Sequence, residues 1–455
     1  MPSLPATAAE ETGNGTASNN NGLPDYGEFV GRLYETGVLD DAWNDGEPRF
    51  RLRGVEMPAA RARALRRAAE RVGAVYQELV ALVWQEPTLL DDYFALTPYQ
   101  KLMWYAAGGR WHGIARADLF VCTDGRVRCC EVNSDTPSGE AEAVLLNRLL
   151  HPYHDAADDP NRSLPEDFWQ MLVASHGGQA PHTVGIVYPT EMTEDLSMIA
   201  IYREWLEARG CRVVLGSPFN LHGSGTGVGM FGEALDMLIR HYKTDWWGER
   251  QVVWLDAEPY PDDEPLSGPL QLLLAAEYAG RVSVVNPFGA VVSQNKLSMA
   301  FMWEERRRFS AAARRWIARY VPETYRMIQV SPEELVVNQQ DWVLKSAYGC
   351  ESEETVCGPF VSAELWREAV AKALPAHWVC QRFFHAESES PGLTCNYGVY
   401  LIGGRSAGFY ARLSAAATDE RAVTAPVYVT RARRRSPLGA EIPSPLAGEA
   451  QGDGR

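Results

Sequence analysis

Apolar positions recur at helical spacing over residues 58–85, at Leu65, Ala68, Val72, Val75, Leu79 and Leu82, which predicts one long helix. Its arginines Arg61, Arg63, Arg66 and Arg67 fall on a face expected to be solvated. Thr97-Pro98-Tyr99-Gln100 reads as a capping box opening a second helix that stops near Gly108-Gly109. Trp104, Tyr105, Trp111 and His112 follow as packing groups. The pattern then changes to alternation over residues 116–135, with Asp124-Gly125 between two runs, the signal for a hairpin with a two-residue turn. That loop length pairs Thr123 with Arg126, Val121 with Arg128, Asp118 with Glu131 and Arg116 with Asn133. Arg116, Asp118, Glu131 and Asn133 then share one face, and two carboxylates stand side by side. Thr136 and Pro137 mark the start of an apolar helix running through Leu149-Leu150.

Residues 182–188, 193–208 and 212–215 read as strand, helix and strand, one βαβ unit. Strands over 235–239, 252–255 and 282–285, with a helix over 270–278, extend a mostly parallel sheet. The glycine-rich segment 220–232 matches no phosphate-binding spacing and reads as a flexible loop. A long helix is expected over 295–320, then a short apolar strand, 342–345, that ends in Lys345. Three more strands fall at 377–384, 393–402 and 406–413, with Gly403-Gly404 as a tight turn and the polar residues Gln381 and Arg412 inside apolar runs.

The chain has 455 residues, enough for two or three domains, and a net charge of −16 that argues against a nucleic-acid backbone binder. Eight cysteines without a CxxC pair point to reduced thiols and a cytoplasmic setting. No apolar run reaches membrane-spanning length. The domain reading is a disordered tail over 1–22, helices plus hairpin over 23–150, a Rossmann-like unit over 151–290, a nucleotide-binding part over 291–424 and a flexible basic tail over 425–455.

Opposed carboxylates destabilise a sheet unless something compensates. A hard cation with Asp, Glu and Asn oxygens does so, as does a neighbouring arginine such as Arg116. The order of motifs resembles the synthetase domain of the glutathionylspermidine synthase family, a circularly permuted ATP-grasp ligase. The resemblance runs from about residue 93 to Arg412. It rests on Arg116-x-Asp118 with Glu131-x-Asn133-x-Asp135, on Thr193-Glu194-Asp195, and on Tyr242-x-x-Asp245-Trp246. Ser293-Gln294-Asn295-Lys296, Trp342-Val343-Leu344-Lys345, Gln381-Arg382-Phe383-Phe384 and the strand ending at Arg412 complete the series.

The resemblance implies an α/β (α+β) ATP-grasp fold with a preceding Rossmann-like domain. It also implies ATP and Mg2+ as cofactors, and a carboxylate and an amine as small-molecule substrates. In that reading Asp118, Glu131 and Asn133 hold magnesium, while Lys296, Lys345, Gly349 and Gln381 hold the nucleotide. Arg116 and Arg412 stabilise the transferring group, and Ser134, Ser138, Glu194 and Asp195 meet substrate. Asp135 is expected to cap the helix that follows it, and Asp118→Ala or Glu131→Ala to abolish turnover with the fold largely intact. The chain departs from the family after Arg412, where Leu413-Ser414-Ala415-Ala416-Ala417 replaces acidic residues, and it has no room for the family's amidase domain. That altered segment motivates an alternative, an ATP-binding regulatory protein of the same fold without catalysis.

Overall fold

The computed structural model describes residues 22–154, 157–190, 195–225, 227–248, 266–348, 355–375, 377–416, 418 and 421–430. At its centre is an antiparallel sheet in the order Val423–Ala425, Arg405–Ser414, Leu393–Ile402, Ile114–Val121, Val127–Asn133, with Ser388–Ser390 beside Leu393–Ile402. Alternation along these strands assigns the two faces opposite chemistry. Ala117, Leu119, Val399, Leu401, Phe409 and Ala411 point one way and pack under the helix Ala59–Gln85, whose Leu65, Val72, Val75, Leu79 and Val83 are buried against them. The other face carries Arg116, Asp118, Glu131, Asn133 and Arg412. Gly398 pairs with Asp118 and leaves room for Arg116, because a Cβ there would lie 2.7 Å from the arginine Cδ.

The second unit is a parallel sheet, Ser283–Val285, Met237–Arg240, Thr183–Val187, Arg212–Gly216, flanked by Leu196–Glu207 and Ser267–Tyr278. A third, smaller antiparallel sheet, Thr324–Arg326, Val379–Arg382, Trp342–Lys345, Thr355–Cys357, has its own core of Met327, Leu335, Trp342, Leu344, Trp366 and Cys380. Asn286 joins the first two units. Its Oδ1 accepts from the amides of Gly113 and Ile114, both at 2.8 Å, and its Nδ2 donates to the carbonyls of Ile114 and Asp135, both at 2.9 Å. Each buried polar group left unpaired costs about 1–3 kcal/mol. Asn286→Ala strands two amide donors and is expected to lower stability by about 2 kcal/mol or more in urea unfolding; a loss below about 0.5 kcal/mol would mean that the joint holds without them.

Several expectations are met closely. The capping box at Thr97 and Gln100 is formed, and Gly108 ends that helix in a left-handed conformation. The strands Trp342–Lys345 and Leu393–Ile402 have the expected bounds, and Gly403 and Gly404 turn the chain with φ of 56° and 81°. Trp104 and Trp111 are buried, Trp111 stacking on Tyr76, while Tyr105 is largely exposed.

Others are corrected. The glycine-rich segment is a three-stranded meander, Leu221–Ser224, Gly227–Met230, Glu233–Ala234, with Val228, Met230 and Leu235 buried on the parallel sheet. The expected helix over 295–320 is three pieces, Leu297–Glu304, a short turn Arg306–Arg308 and Ala311–Tyr320. Ser310 interrupts it by capping the last piece through its bond from the Ala313 amide, while Glu78 accepts from the Ser310 amide and hydroxyl. The helix after the hairpin begins at Glu140, behind Gly139 at φ 94°, and not at Thr136. The arginine face is partly engaged: Arg61 pairs with Glu387 at 2.5 Å, and Arg66 lies over the ring of Phe409. Residues 427–430, expected within the basic tail, form a strand, Val427–Thr430, between Val55–Pro58 and Ala157–Asp158. The expected strand over 252–255, the N-terminal tail up to residue 21 and residues 431–455 lie outside the described residues. Among the described residues no helix is long and apolar enough to cross a membrane.

Candidate functional site

The hairpin is built differently at its tip and as expected at its base. Cys122 accepts from the Gly125 amide at 2.8 Å and donates to the Arg126 carbonyl at 2.7 Å, so Thr123, Asp124 and Gly125 form a three-residue loop closed by Gly125 at φ 75°. Cys122 rather than Thr123 therefore faces Arg126, and Val121 faces Val127 rather than Arg128. The pairing then slips by one residue between Leu119, opposite Cys129, and Asp118, opposite Glu131. Cys130 is the extra residue of this bulge. The slip restores Asp118 opposite Glu131 and Arg116 opposite Asn133, the pairs expected from a shorter loop. It also turns the Cys130 carbonyl outward, to accept from Lys345 Nζ at 2.9 Å and Gln381 Nε2 at 3.5 Å.

Charges from four parts of the chain meet at the hairpin base. Asp118, wholly buried, takes Arg116 Nε on Oδ1 at 2.8 Å and Arg412 on Oδ2 at 2.7 Å. Glu131 Oε2 stands 3.9 Å from Lys296 Nζ and 4.0 Å from Lys345 Nζ. Burial works to raise the Glu131 acid, and the charges of Lys296, Lys345, Arg412 and Arg116 override it, holding the group down at about 2. Burial opposes the charge on Lys345, but Cys130 and Glu131 raise its pKa above the ordinary lysine value. Burial pushes the Cys130 thiol up to about 12, so it is a packing group and no nucleophile at neutral pH. Gln381 is buried and bonded to Thr324 Oγ1 at 3.1 Å. Gly349 and Glu194 lie outside the described residues.

The oxygen donors here are the two carboxylates and the Asn133 amide; among the described residues no three His, Cys, Asp or Glu side chains form a metal-ligand group. Such oxygens suit a hard divalent cation. Glu131 is the more open of the two carboxylates, since both oxygens of Asp118 already meet guanidinium groups. Gln294 sets the orientation of Asn133. Its Oε1 accepts from the amides of Ser134 at 2.8 Å and Asp135 at 3.2 Å, which turns its Nε2 to Asn133 Oδ1 at 3.4 Å. Asn133 Nδ2 consequently faces Asp118 and Glu131, and a cation would be met by turning that amide over. A small cavity beside these groups is lined by Tyr76, Glu131, Asn133, Gln294, Lys296 and Met299. Gln294 and Tyr76 were not singled out as site residues from the sequence, although Gln294 lies two positions before Lys296.

The loop after the hairpin was expected to offer hydroxyls to substrate. Ser134 is wholly buried, its hydroxyl shared with that of Ser293 at 2.7 Å, and it serves the packing of the loop. Ser138 contributes its carbonyl, which accepts from Arg116 at 2.6 Å and from the Tyr400 hydroxyl at 3.1 Å. Asp135 neither joins the carboxylates nor caps the helix that follows. It pairs with Arg240 at 2.6 Å and accepts from the amide and hydroxyl of Thr244, at 2.7 and 3.0 Å, so it caps the helix Thr244–Gly248 far along the chain. Asp195 pairs with His241 at 3.1 Å. Burial works against charge on both, and their mutual attraction prevails, raising His241 and lowering Asp195. A second cavity opens here, at the carboxyl ends of the parallel strands, lined by Thr136, Pro137, Tyr202, Arg240, His241 and Asn286.

No family model matches this chain, and no curated protein matches it. Its likeness is to solved structures. A glutathione synthetase-like effector from Globodera pallida, in its apo form, superposes with a TM-score of 0.54 at 10% identity, covering 89% of this chain and 98% of its own. A protein assigned as a gamma-glutamylcysteine synthetase from Methylobacillus flagellatus aligns with a TM-score of 0.44 at 14% identity, over 77% of this chain and 87% of its own. The first likeness extends over nearly the whole chain, and the fold is a mixed α/β arrangement of the ATP-grasp type.

Proposed function

We propose that the protein is an ATP-dependent carboxylate-amine ligase, similar to glutathionylspermidine synthase, that makes an amide through an acyl phosphate. The observation that carries this reading is the meeting of Asp118 and Glu131 with Arg116, Arg412, Lys296 and Lys345 on one sheet face beside a small cavity. Phosphoryl transfer needs little covalent help from a protein; it needs charge placed where charge develops and water kept out. Lys296 and Lys345 are suited to the α and β phosphates, with Gln381 beside them and Gly349 in the loop beyond Lys345. Arg412, whose Nε is buried without a hydrogen-bond partner among the described residues, and Arg116 are suited to the transferring phosphoryl group and the tetrahedral centre. Glu131 and Asn133, with Asp118, would hold magnesium, which would supply positive charge to offset that of the phosphate oxygens. The second cavity, with Asp195 and His241 at its edge, is suited to a substrate that carries both acid and base groups.

The test is phosphate release from ATP with a matrix of amino acids, small peptides and amines, followed by the mass of the product. The expected result is release that requires one carboxylate and one amine together, and a product heavier than the carboxylate by the amine less one water. ATP binding without release for any pair would instead favour a nucleotide-binding regulatory protein.

A further inference from the structure

Glu140 is a carboxyl group outside the charge cluster at the hairpin base. It opens the helix Glu140–Leu150 and is 1% exposed. Tyr202 donates to its Oε1 at 3.3 Å, and its Oε2 is buried with no hydrogen-bond partner among the described residues. A buried carboxyl oxygen left unpaired is costly, and one that persists calls for a reason, such as a catalytic role or a ligand that completes the bonding. Its surroundings say which ligand. Tyr202, which holds Glu140, and His241, which acts on it electrostatically, both line the second cavity. Arg116, bonded to the Ser138 carbonyl two residues earlier in the chain, and Tyr400, bonded to the same carbonyl, also interact with it electrostatically. The carboxyl is thus one hydrogen bond from a wall of the cavity suited to substrate, and within the field of the arginine suited to the transferring group.

We propose that Glu140 is the proton acceptor for the incoming amine. This rests on the ligase reading. An amine that arrives as an ammonium ion has no lone pair to attack with. One N–H bond breaks and its proton passes to the Glu140 carboxylate; the freed pair forms the C–N bond at the acyl carbon; the bond from that carbon to the phosphate oxygen breaks, and the second amine proton leaves with the phosphate. Among the described residues, the charged and titratable groups that act on Glu140 are Arg116 from the hairpin, His241 just after Met237–Arg240, Tyr202 from Leu196–Glu207 and Tyr400 from Leu393–Ile402. Burial raises the Glu140 acid to about 7, against the lowering effect of its own backbone amide, Arg116, His241 and Tyr202, which suits a base working at neutral pH.

The experiment sets two nucleophiles against each other, with the carboxylate found in the phosphate-release screen: methylamine, protonated at neutral pH, and hydroxylamine, already unprotonated there. Glu140→Gln is expected to lower the ratio of methylamide to hydroxamate by about a hundredfold, the usual scale for a general base, with Glu140→Asp recovering part of it. In the parent protein methylamide formation is expected to rise through about pH 7 while hydroxamate formation stays flat. Equal loss of both products in Glu140→Gln would make the residue structural and overturn the assignment. Absence of hydroxamate in the parent protein would overturn the ligase reading beneath it.

Discussion

Glu131→Gln is expected to lower ATP turnover by about a hundredfold or more, the scale seen when one charged contact to a developing charge is lost. The substitution keeps the shape and one acceptor oxygen and removes the anion on which Lys296 and Lys345 converge at 3.9 and 4.0 Å. Magnesium titrations followed by phosphate release should show the midpoint moving upward in the variant, and the unfolding midpoint moving little. Unchanged turnover at every magnesium concentration would refute a role for Glu131 in holding the cation. Asp118→Ala is a poorer test than the sequence suggests. It would leave Arg116 and Arg412 facing each other across a buried hole, so the expectation that the fold survives largely intact does not carry over to that variant. Asp118→Asn is the better choice.

The largest effect on stability is expected at Asp135, which was read as a cap for the wrong helix. Asp135→Ala strands the Arg240 guanidinium, which has no exposed side-chain surface, and removes both acceptor bonds at Thr244. Breaking such a buried pair from one side costs about 3–5 kcal/mol, whereas replacing both partners with apolar groups is often close to neutral. The urea midpoint of Asp135→Ala should therefore fall steeply, and Asp135→Ala with Arg240→Met should recover much of the loss. If the single variant lost under about 1 kcal/mol, water would be reaching the arginine and the pair would not be the joint it resembles.

What the sequence made legible was local. The capping box, the strand ending at Lys345, the glycine turn at 403–404 and the pairing of Asp118 with Glu131 all follow from short-range chemistry. The hairpin shows the limit of that reasoning. A loop one residue longer than expected and a bulge at Cys130 offset each other, so the base was read rightly from a tip that was read wrongly. Nothing in residues 126–133 signals the bulge, whose outward carbonyl is met by Lys345 and Gln381, more than 200 residues away. The partners of Asp135 and Asn286 were illegible for the same reason: a buried polar residue is explained by whatever lies across the interface. Ser310 was the opposite case, since a serine inside a helical run is a local signal for a break.

The order of strands in the central sheet has a further consequence for how the molecule comes to exist. Ile114–Val121 finds its neighbour on one side within a dozen residues but on the other only at Leu393–Ile402, and in a separate sheet Val55–Pro58 waits for Val427–Thr430. During synthesis the hairpin therefore emerges with a bare strand edge, Asp118 without Arg412, and Glu131 without either lysine. Pairings of such long separation form slowly, and an open edge invites association with other chains. A chain stopped before residue 412 lacks one of the two guanidinium groups that meet on Asp118, so whatever needs both can reward only molecules made nearly to the end.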